Sequence, residues 1–231
     1  MIKGFALIPQ KAGITREKFH SHWFEIHAPL AKRIKALRRY VQSHRLTEPL
    51  PGFDEVPYEG IAEIWFDKLA DVTELGDNPD YIDGALADEP NFIDQSRLRF
   101  LATREEVVIP GPTIRRDTPL VKAMFLLKRR ADMSVEAFQK YWLEEHAPQI
   151  PRDMGVLRYV QAHQLPETYA DEAPAFDGVA ELSFENMKGF EDYWGSERVQ
   201  AIFAADAPRF LGEGCVGLLV EEKRIIWPEG R

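Results

Sequence analysis

Sliding the 231-residue chain along itself by 119 positions lays residues 14–46 over residues 133–165 without a gap, and 14 of the 33 pairs are identical. Unrelated sequences of ordinary composition would give about two. The matches include Phe19/Phe138, Trp23/Trp142, Glu25/Glu144, His27/His146, Ala28/Ala147, Pro29/Pro148, Tyr40/Tyr159, Gln42/Gln161 and His44/His163. One residue lost in the next loop changes the offset to 118, which aligns Glu63/Glu181, Phe66/Phe184, Pro90/Pro208 and Pro110/Pro228. A chain duplicated in tandem folds into two like units, because like sequences share their periodicities and turn signals. The Pro- and Gly-bearing stretch 110–119 separates them, giving units 1–111 and 112–231.

Each unit reads in the same order. Strands are expected at 2–9 and 120–128, then at 39–46 and 158–165, at 60–66 and 178–184, and at 97–109 and 215–227. Thr15 and Ser134 are good N-cap residues, each followed by an acidic residue in the first turn. Phe19, Trp23 and Ile26 then fall at helical spacing, as do Phe138 and Trp142. Pro29 and Pro148 are expected to end these helices, since the residue before a proline avoids the helical region. Further helical segments are expected at 68–87 and 186–204. The order β-α-β-β-α-β is that of a ferredoxin-like α+β unit.

Alternation along the strands assigns their faces. A sheet covered by helices needs an apolar side beneath them. In the second strand Val41 and Ser43 (Val160 and Ala162) suit that side, which leaves Tyr40, Gln42 and His44, and Tyr159, Gln161 and His163, on the opposite side. In the third strand Ala62, Ile64 and Phe66 suit the helices, and Glu63, Glu181 and Trp65 lie opposite. That face would expose Ile61, Trp65 and Val179 to water, so the two four-stranded sheets are expected to pack against each other and enclose a cleft. An apolar cleft with a few convergent polar groups is the default small-molecule site.

The pattern F-x3-W-x3-H-A-P followed by R-Y-V-Q-x-H resembles the EthD family of the dimeric α+β-barrel superfamily. It occurs as Phe19-Trp23-His27-Ala28-Pro29 with Arg39-Tyr40-Val41-Gln42-His44, and again as Phe138-Trp142-His146-Ala147-Pro148 with Arg158-Tyr159-Val160-Gln161-His163. The resemblance implies a barrel built within one chain where relatives use two. It also implies small, often aromatic or hydrophobic substrates, and acid/base chemistry of lyase, decarboxylase, dehydratase or cyclase type without a cofactor, in catabolism of xenobiotic or aromatic compounds or in secondary metabolism. It does not specify the reaction.

His44 and His163 are the expected proton-transfer groups, because an imidazole titrates near neutral pH. His27 and His146 are further catalytic candidates, although a histidine at a helix C-terminus also serves as a structural cap. Tyr40, Tyr159, Gln42, Gln161 and Trp65 are expected to hold substrate. Glu63 and Glu181 are cleft carboxylates with shifted pKa values, partners of Arg39 and Arg158 in salt bridges, or residues exposed at the barrel rim. His20 and His22 occur only in the first unit; their spacing to His27 does not match helical metal-ligand pairs, so no metal is expected and they read as surface residues. The acidic segments 47–59 and 166–177 are candidate lids, and the units are expected to have diverged, one cavity being more polar than the other.

A net charge of −9 argues against nucleic-acid and anionic-membrane partners. The single cysteine, Cys215, forms no internal disulfide and sits in the apolar run CVGLLV, where a buried structural thiol is expected. The segment MIKGFALIPQ has neither the apolar core nor the cleavage site of a signal peptide, so the cytoplasm is the expected location. The expected partner is a small hydrophobic or aromatic ligand, with a homodimer of the tandem chain left open. Two functions remain: a cofactor-independent enzyme, or a non-catalytic small-molecule carrier on the same barrel. Haem handling is a third, but no lone histidine stands out as an axial ligand.

Overall fold

The structure is a computed structural model that describes residues 1–53, 56–170 and 173–228. The first half runs β1 (Ile2–Ile8), α1 (Arg16–His22), α2 (Ala28–Ala31), β2 (Arg39–Arg45), β3 (Gly60–Phe66), α3 (Leu69–Thr73) and β4 (Arg99–Ile109). The second half runs β5 (Val121–Leu127), α4 (Val135–Tyr141), β6 (Arg158–Gln164), β7 (Gly178–Phe184), α5 (Met187–Trp194), α6 (Glu197–Phe210) and β8 (Val216–Ile226). Thr15 and Ser134 do cap α1 and α4, accepting from the backbone N–H of Lys18 at 3.3 Å and of Ala137 at 3.1 Å. The strands form one closed antiparallel barrel in the order β1-β3-β2-β8-β5-β7-β6-β4. Each half contributes four strands, and the halves join where β2 meets β8 and where β4 meets β6. No helix among the described residues is long and apolar enough to cross a membrane.

Three expectations about the backbone change. Pro29 does not end the first helix: Trp23–His27 is a π-helical turn in which the Ala28 N–H reaches the Trp23 carbonyl, and the proline enters the first turn of α2, where its missing N–H is tolerated. The second half repeats the π turn at Trp142–His146. The helix expected at 68–87 is broken into α3, a short 3₁₀ turn at Leu75–Asp77 and a π-helical turn at Tyr81–Leu86, whereas the second half builds the longer α5 and α6. Segments 47–59 and 166–177, apart from Asp54, Glu55, Asp171 and Glu172, which lie outside the described residues, contribute packing: Val56, Tyr58 and Phe176 plug the apolar end of the barrel. Leu50 and Phe53 of the first half pack onto the helix side of the second. Cys215 is half-buried beside that cluster, ahead of β8, and its thiol accepts the Lys128 N–H at 3.2 Å.

Trp23 and Trp142 anchor the helices to the sheet. Each indole lies over a glycine at the start of the third strand of its half, Gly60 and Gly178. A Cβ on Gly178 would fall 2.6 Å from Trp142 Cζ3 and 2.8 Å from the Ala162 carbonyl oxygen, so neither ring nor strand has room to yield. Gly178→Ala is expected to cost about 1–3 kcal/mol through overpacking, read as a lower urea midpoint with an unchanged m value; an unchanged midpoint would contradict this packing.

Candidate functional site

Strand register decides which residues share a face. Tyr40 pairs with Ile64, Gln42 with Ala62, Val41 with Glu63 and Ser43 with Ile61. Paired residues point the same way, so Tyr40, Gln42 and His44 lie with Ile64 and Ala62 under the helices, and Tyr159, Gln161 and His163 do the same in the second half. This reverses the face expected for the second strand. A polar trio is accommodated there because its members satisfy one another. The Trp23 indole N–H donates to the Tyr40 hydroxyl at 3.2 Å, and Gln42 Nε2 donates to the same hydroxyl at 2.9 Å and to the Trp23 carbonyl at 2.7 Å. His44 Nε2 then meets Gln42 Oε1 at 3.2 Å. The second half repeats the chain through Trp142, Tyr159, Gln161 and His163 at 2.8–3.1 Å.

His44 and His163 are thereby packed rather than presented to a ligand. Each ring lies against a tryptophan, His163 stacked on Trp142 at 4.5 Å and His44 tilted against Trp23 at 4.6 Å. Burial pushes their pKa values down, to about 3 for His44, with nearby His20 and Lys223 adding to the effect, and to about 4 for His163. His20 and His22 are not free surface residues: His20 contacts His44 at 2.7 Å and Glu59 at 3.1 Å, and His22 contacts Asp88 at 2.9 Å.

The barrel interior holds a different assembly. Its apolar part is filled by side chains such as Phe5, Leu7, Met124 and Leu126. Its other end holds Lys3 and Lys122, both 2% exposed, among four carboxylates. Lys3 Nζ lies 2.8 Å from Glu63, 2.5 Å from Glu181 and 3.3 Å from Glu105. Lys122 contacts Glu63, and lies 3.0 Å from Glu181 and 2.7 Å from Glu222. Glu63 and Glu181 therefore share the interior face as expected, but their partners are these lysines rather than Arg39 or Arg158. Trp65 belongs to the same cluster, donating to Glu105 at 2.8 Å beneath the Lys3 ammonium. A cavity of about 320 Å³ adjoins the cluster, with Arg39, Arg158 and linker residues 110–114 in its wall. Each ammonium lies within 3.3 Å of three carboxylates drawn from both halves, and the cluster links the halves across the barrel.

With four carboxylates around two ammonium groups, burial and the neighbouring Glu63 raise Glu181 to about 7 against the pull of Lys3 and Lys122. A carboxyl whose folded pKa lies above its unfolded value gives stability at low pH that is lost as pH rises through the folded value. The contribution of Glu181 to stability is therefore expected to fall between about pH 4.5 and pH 7, against the opposite slope set by the buried histidines, whose lowered pKa values favour folding as pH rises. Glu181→Gln, which stays neutral, is expected to lose that contribution and so to gain stability relative to the parent between pH 5 and pH 8; denaturation midpoints at the two pH values that change equally in both proteins would contradict it.

His27 and His146 sit at the ends of the π turns, each held by an aspartate that sequence reading did not single out. His27 Nδ1 lies 3.1 Å from Asp88 Oδ2, and His146 Nδ1 lies 2.7 Å from Asp206 Oδ2. Tyr141 donates to the other oxygen of Asp206 at 2.7 Å. Burial lowers both histidine pKa values, with the aspartates opposing the shift. The signal was available: Asp88 and Asp206 belong to the repeated pattern A-D-x-P-x-F at 87–92 and 205–210.

In the second half His146 opens on a cleft between the sheet and α5–α6, with a volume of about 60 Å³. Trp142, Tyr159, Tyr193, Trp194 and Phe203 stand in its wall with His146. Phe53 of the first half covers the same aromatic group, 5.3 Å from Phe125 and 6.2 Å from Trp194, while Trp194 donates to the Pro51 carbonyl at 2.9 Å. This cleft, rather than the barrel interior, combines an apolar wall with an oriented histidine. The halves have diverged: Tyr193, Trp194 and Phe203 fall opposite Leu75, Gly76 and Ala85.

The EthD domain model matches residues 11–96 and 130–214. A decarboxylase of Aspergillus novofumigatus, nsrE, is 28% identical over 118 residues, which cover 46% of this chain and 78% of that protein. An anthrone oxidase-like protein shares the fold with a TM-score of 0.69 at 9% identity, covering 97% of this chain and 93% of its own. A chlorite dismutase from Candidatus Nitrospira defluvii, in a single-substitution variant, gives a TM-score of 0.52 at 14% identity over 95% and 90% of the two chains. At such identities these structures establish the shared barrel architecture alone.

Proposed function

The chain belongs to the EthD family, whose domain it carries twice, and on that footing we propose that it is an enzyme removing a carboxyl group from a small hydrophobic or aromatic acid in the cleft of its second half. The observation that carries this reading is His146. Asp206 holds its Nδ1 at 2.7 Å, which fixes the tautomer and leaves Nε2 without a hydrogen-bond partner among the described residues, in the wall of an apolar cavity. Burial keeps the ring neutral and therefore able to accept a proton.

The chemistry then balances on one proton. A substrate enters as a neutral acid, the form an apolar wall favours. His146 Nε2 takes the carboxyl proton, the carbon–carbon bond to the carboxylate breaks, and its electron pair remains on the substrate carbon. The imidazolium returns the same proton to that carbon, giving the decarboxylated product and CO2. Loss of water from around the carboxylate helps this step, because its charge spreads as CO2 departs. The 28% identity to a decarboxylase supports this reaction over other acid/base lyase chemistry. In this reading the proton-transfer role expected of His44 and His163 passes to His146, while Tyr40, Gln42, Tyr159 and Gln161 orient the tryptophans and the π turns.

The test is CO2 release from a panel of single-ring aromatic and β-keto acids labelled with ¹³C at the carboxyl. Turnover is expected with at least one acid, and Asp206→Asn, which disturbs the histidine tautomer, is expected to lower kcat about tenfold or more with KM little changed. Binding without turnover across the panel would assign the protein to the carrier class.

A further inference from the structure

Tyr193 is 2% exposed and stands in the cleft wall, yet its hydroxyl has no hydrogen-bond partner among the described residues. Burial alone pushes its pKa up to about 12, so it remains a protonated donor. Its oxygen is not fully enclosed, so water reaches it from the cleft, and a ligand oxygen would take the place of that water. Tyr159 stands in the same wall; its oxygen already accepts from Trp142 at 3.1 Å and from Gln161 at 2.8 Å, which leaves its own O–H to donate.

The first half carries an internal carboxyl in the corresponding stretch of sequence. There Glu89 is buried, and its carboxyl accepts from the Tyr81 hydroxyl at 2.9 Å and from Gln95 at 3.3 Å. The carboxylate is close enough to Tyr40, the counterpart of Tyr159, to disfavour ionisation of its phenol. Burial raises the Glu89 pKa, so this environment favours a neutral acid. At the offset of 118 residues, Glu89 corresponds to Ala207, Tyr81 to Val199 and Leu75 to Tyr193. The second half thus lacks the internal carboxyl and adds an unpartnered phenol.

We propose that the second-half cleft is a receptor for an aryl carbonyl or carboxyl oxygen gripped by the Tyr193 and Tyr159 hydroxyls, and that the first half, which carries Glu89 in the corresponding place, takes no ligand. This rests on the assignment of the cleft as the functional site. Tyr193 selects the substrate by its oxygen and holds it so that the carbon bearing the carboxyl faces His146.

Two probes of matched shape separate the possibilities: acetophenone, with an acceptor oxygen, and α-methylstyrene, with a methylene in its place. Binding is followed by quenching of tryptophan fluorescence and by ligand-observed NMR on the full chain. Acetophenone is expected to bind about fivefold more tightly than α-methylstyrene, the equivalent of one net neutral hydrogen bond, with one molecule per chain. Tyr193→Phe is expected to erase that preference while leaving α-methylstyrene affinity and the melting temperature unchanged, since the hydroxyl makes no hydrogen bond to the described residues. Equal binding of the two probes to the unaltered protein would overturn the role of Tyr193 and leave the cleft assignment standing. Failure of both to bind would overturn the cleft assignment itself, and two molecules per chain would overturn the silence of the first half.

Discussion

Replacing Lys122 with Met is expected to remove about 3–5 kcal/mol of folding stability, because it leaves buried carboxylates without their counter-charge. The lysine is 2% exposed and touches Glu63, Glu181 and Glu222. Its removal leaves Lys3 as the single ammonium group touching Glu63 and Glu181 among the described residues. A loss of that size is a large share of the 5–15 kcal/mol, roughly, that holds a typical domain together. The exposed pair Lys188–Asp192, one helical turn apart on α5, provides the control: Lys188→Met is expected to leave the urea midpoint almost unchanged. Adding Glu63→Gln to the Lys122 variant takes away one of the stranded charges and is expected to recover part of the loss. Urea unfolding of the four proteins at pH 7 decides it. Equal midpoints for the Lys122 and Lys188 variants would show that the cluster does not hold the barrel.

The largest functional effect is expected at His146. His146→Gln should lower kcat/KM by about 10²–10⁴-fold, the usual contribution of a general acid or base. His27→Gln should leave it within about twofold, although His27 holds the same position in the repeat and contacts Asp88 in the same way. The contrast is the informative part. If the histidine–aspartate pairs served only to brace the π turns, both substitutions would weaken folding alike and neither would affect turnover selectively. Acetophenone affinity and melting temperature measured alongside activity separate the two accounts. A parallel loss of activity in both variants would show that both halves act.

Much of the architecture was legible because the repeat doubled every signal. The N-caps Thr15 and Ser134, the strand positions and the tryptophans at helical spacing could each be checked against a second copy. The face of the second strand was misread because alternation offers two answers and polarity was used to choose between them. That choice fails where Tyr40, Gln42 and His44 satisfy one another beneath a tryptophan, since a polar group with a partner is no longer costly to bury. Register with the third strand, whose faces were assigned correctly, settles the matter, and a single sequence does not fix register. Lys3 and Lys122 were passed over although both interrupt apolar strands at corresponding positions, a pattern that asks for buried counter-charges. Asp88 and Asp206 come close to their histidines only through folding, about 60 residues along the chain. The cleft depends on Tyr193, Trp194 and Phe203, which the first half lacks, so comparison of the copies pointed away from them.

Joining both halves in one chain also changes what a mutation can do. In a barrel assembled from two identical subunits, every substitution appears twice, and a change that suits one cleft is imposed on the other. Here the joints between β2 and β8 and between β4 and β6 are formed by segments with separate coding sequence. The covalent link keeps the halves at high effective concentration however far they drift apart. One copy is then free to accumulate aromatic residues such as Tyr193, Trp194 and Phe203, while the other keeps Glu89.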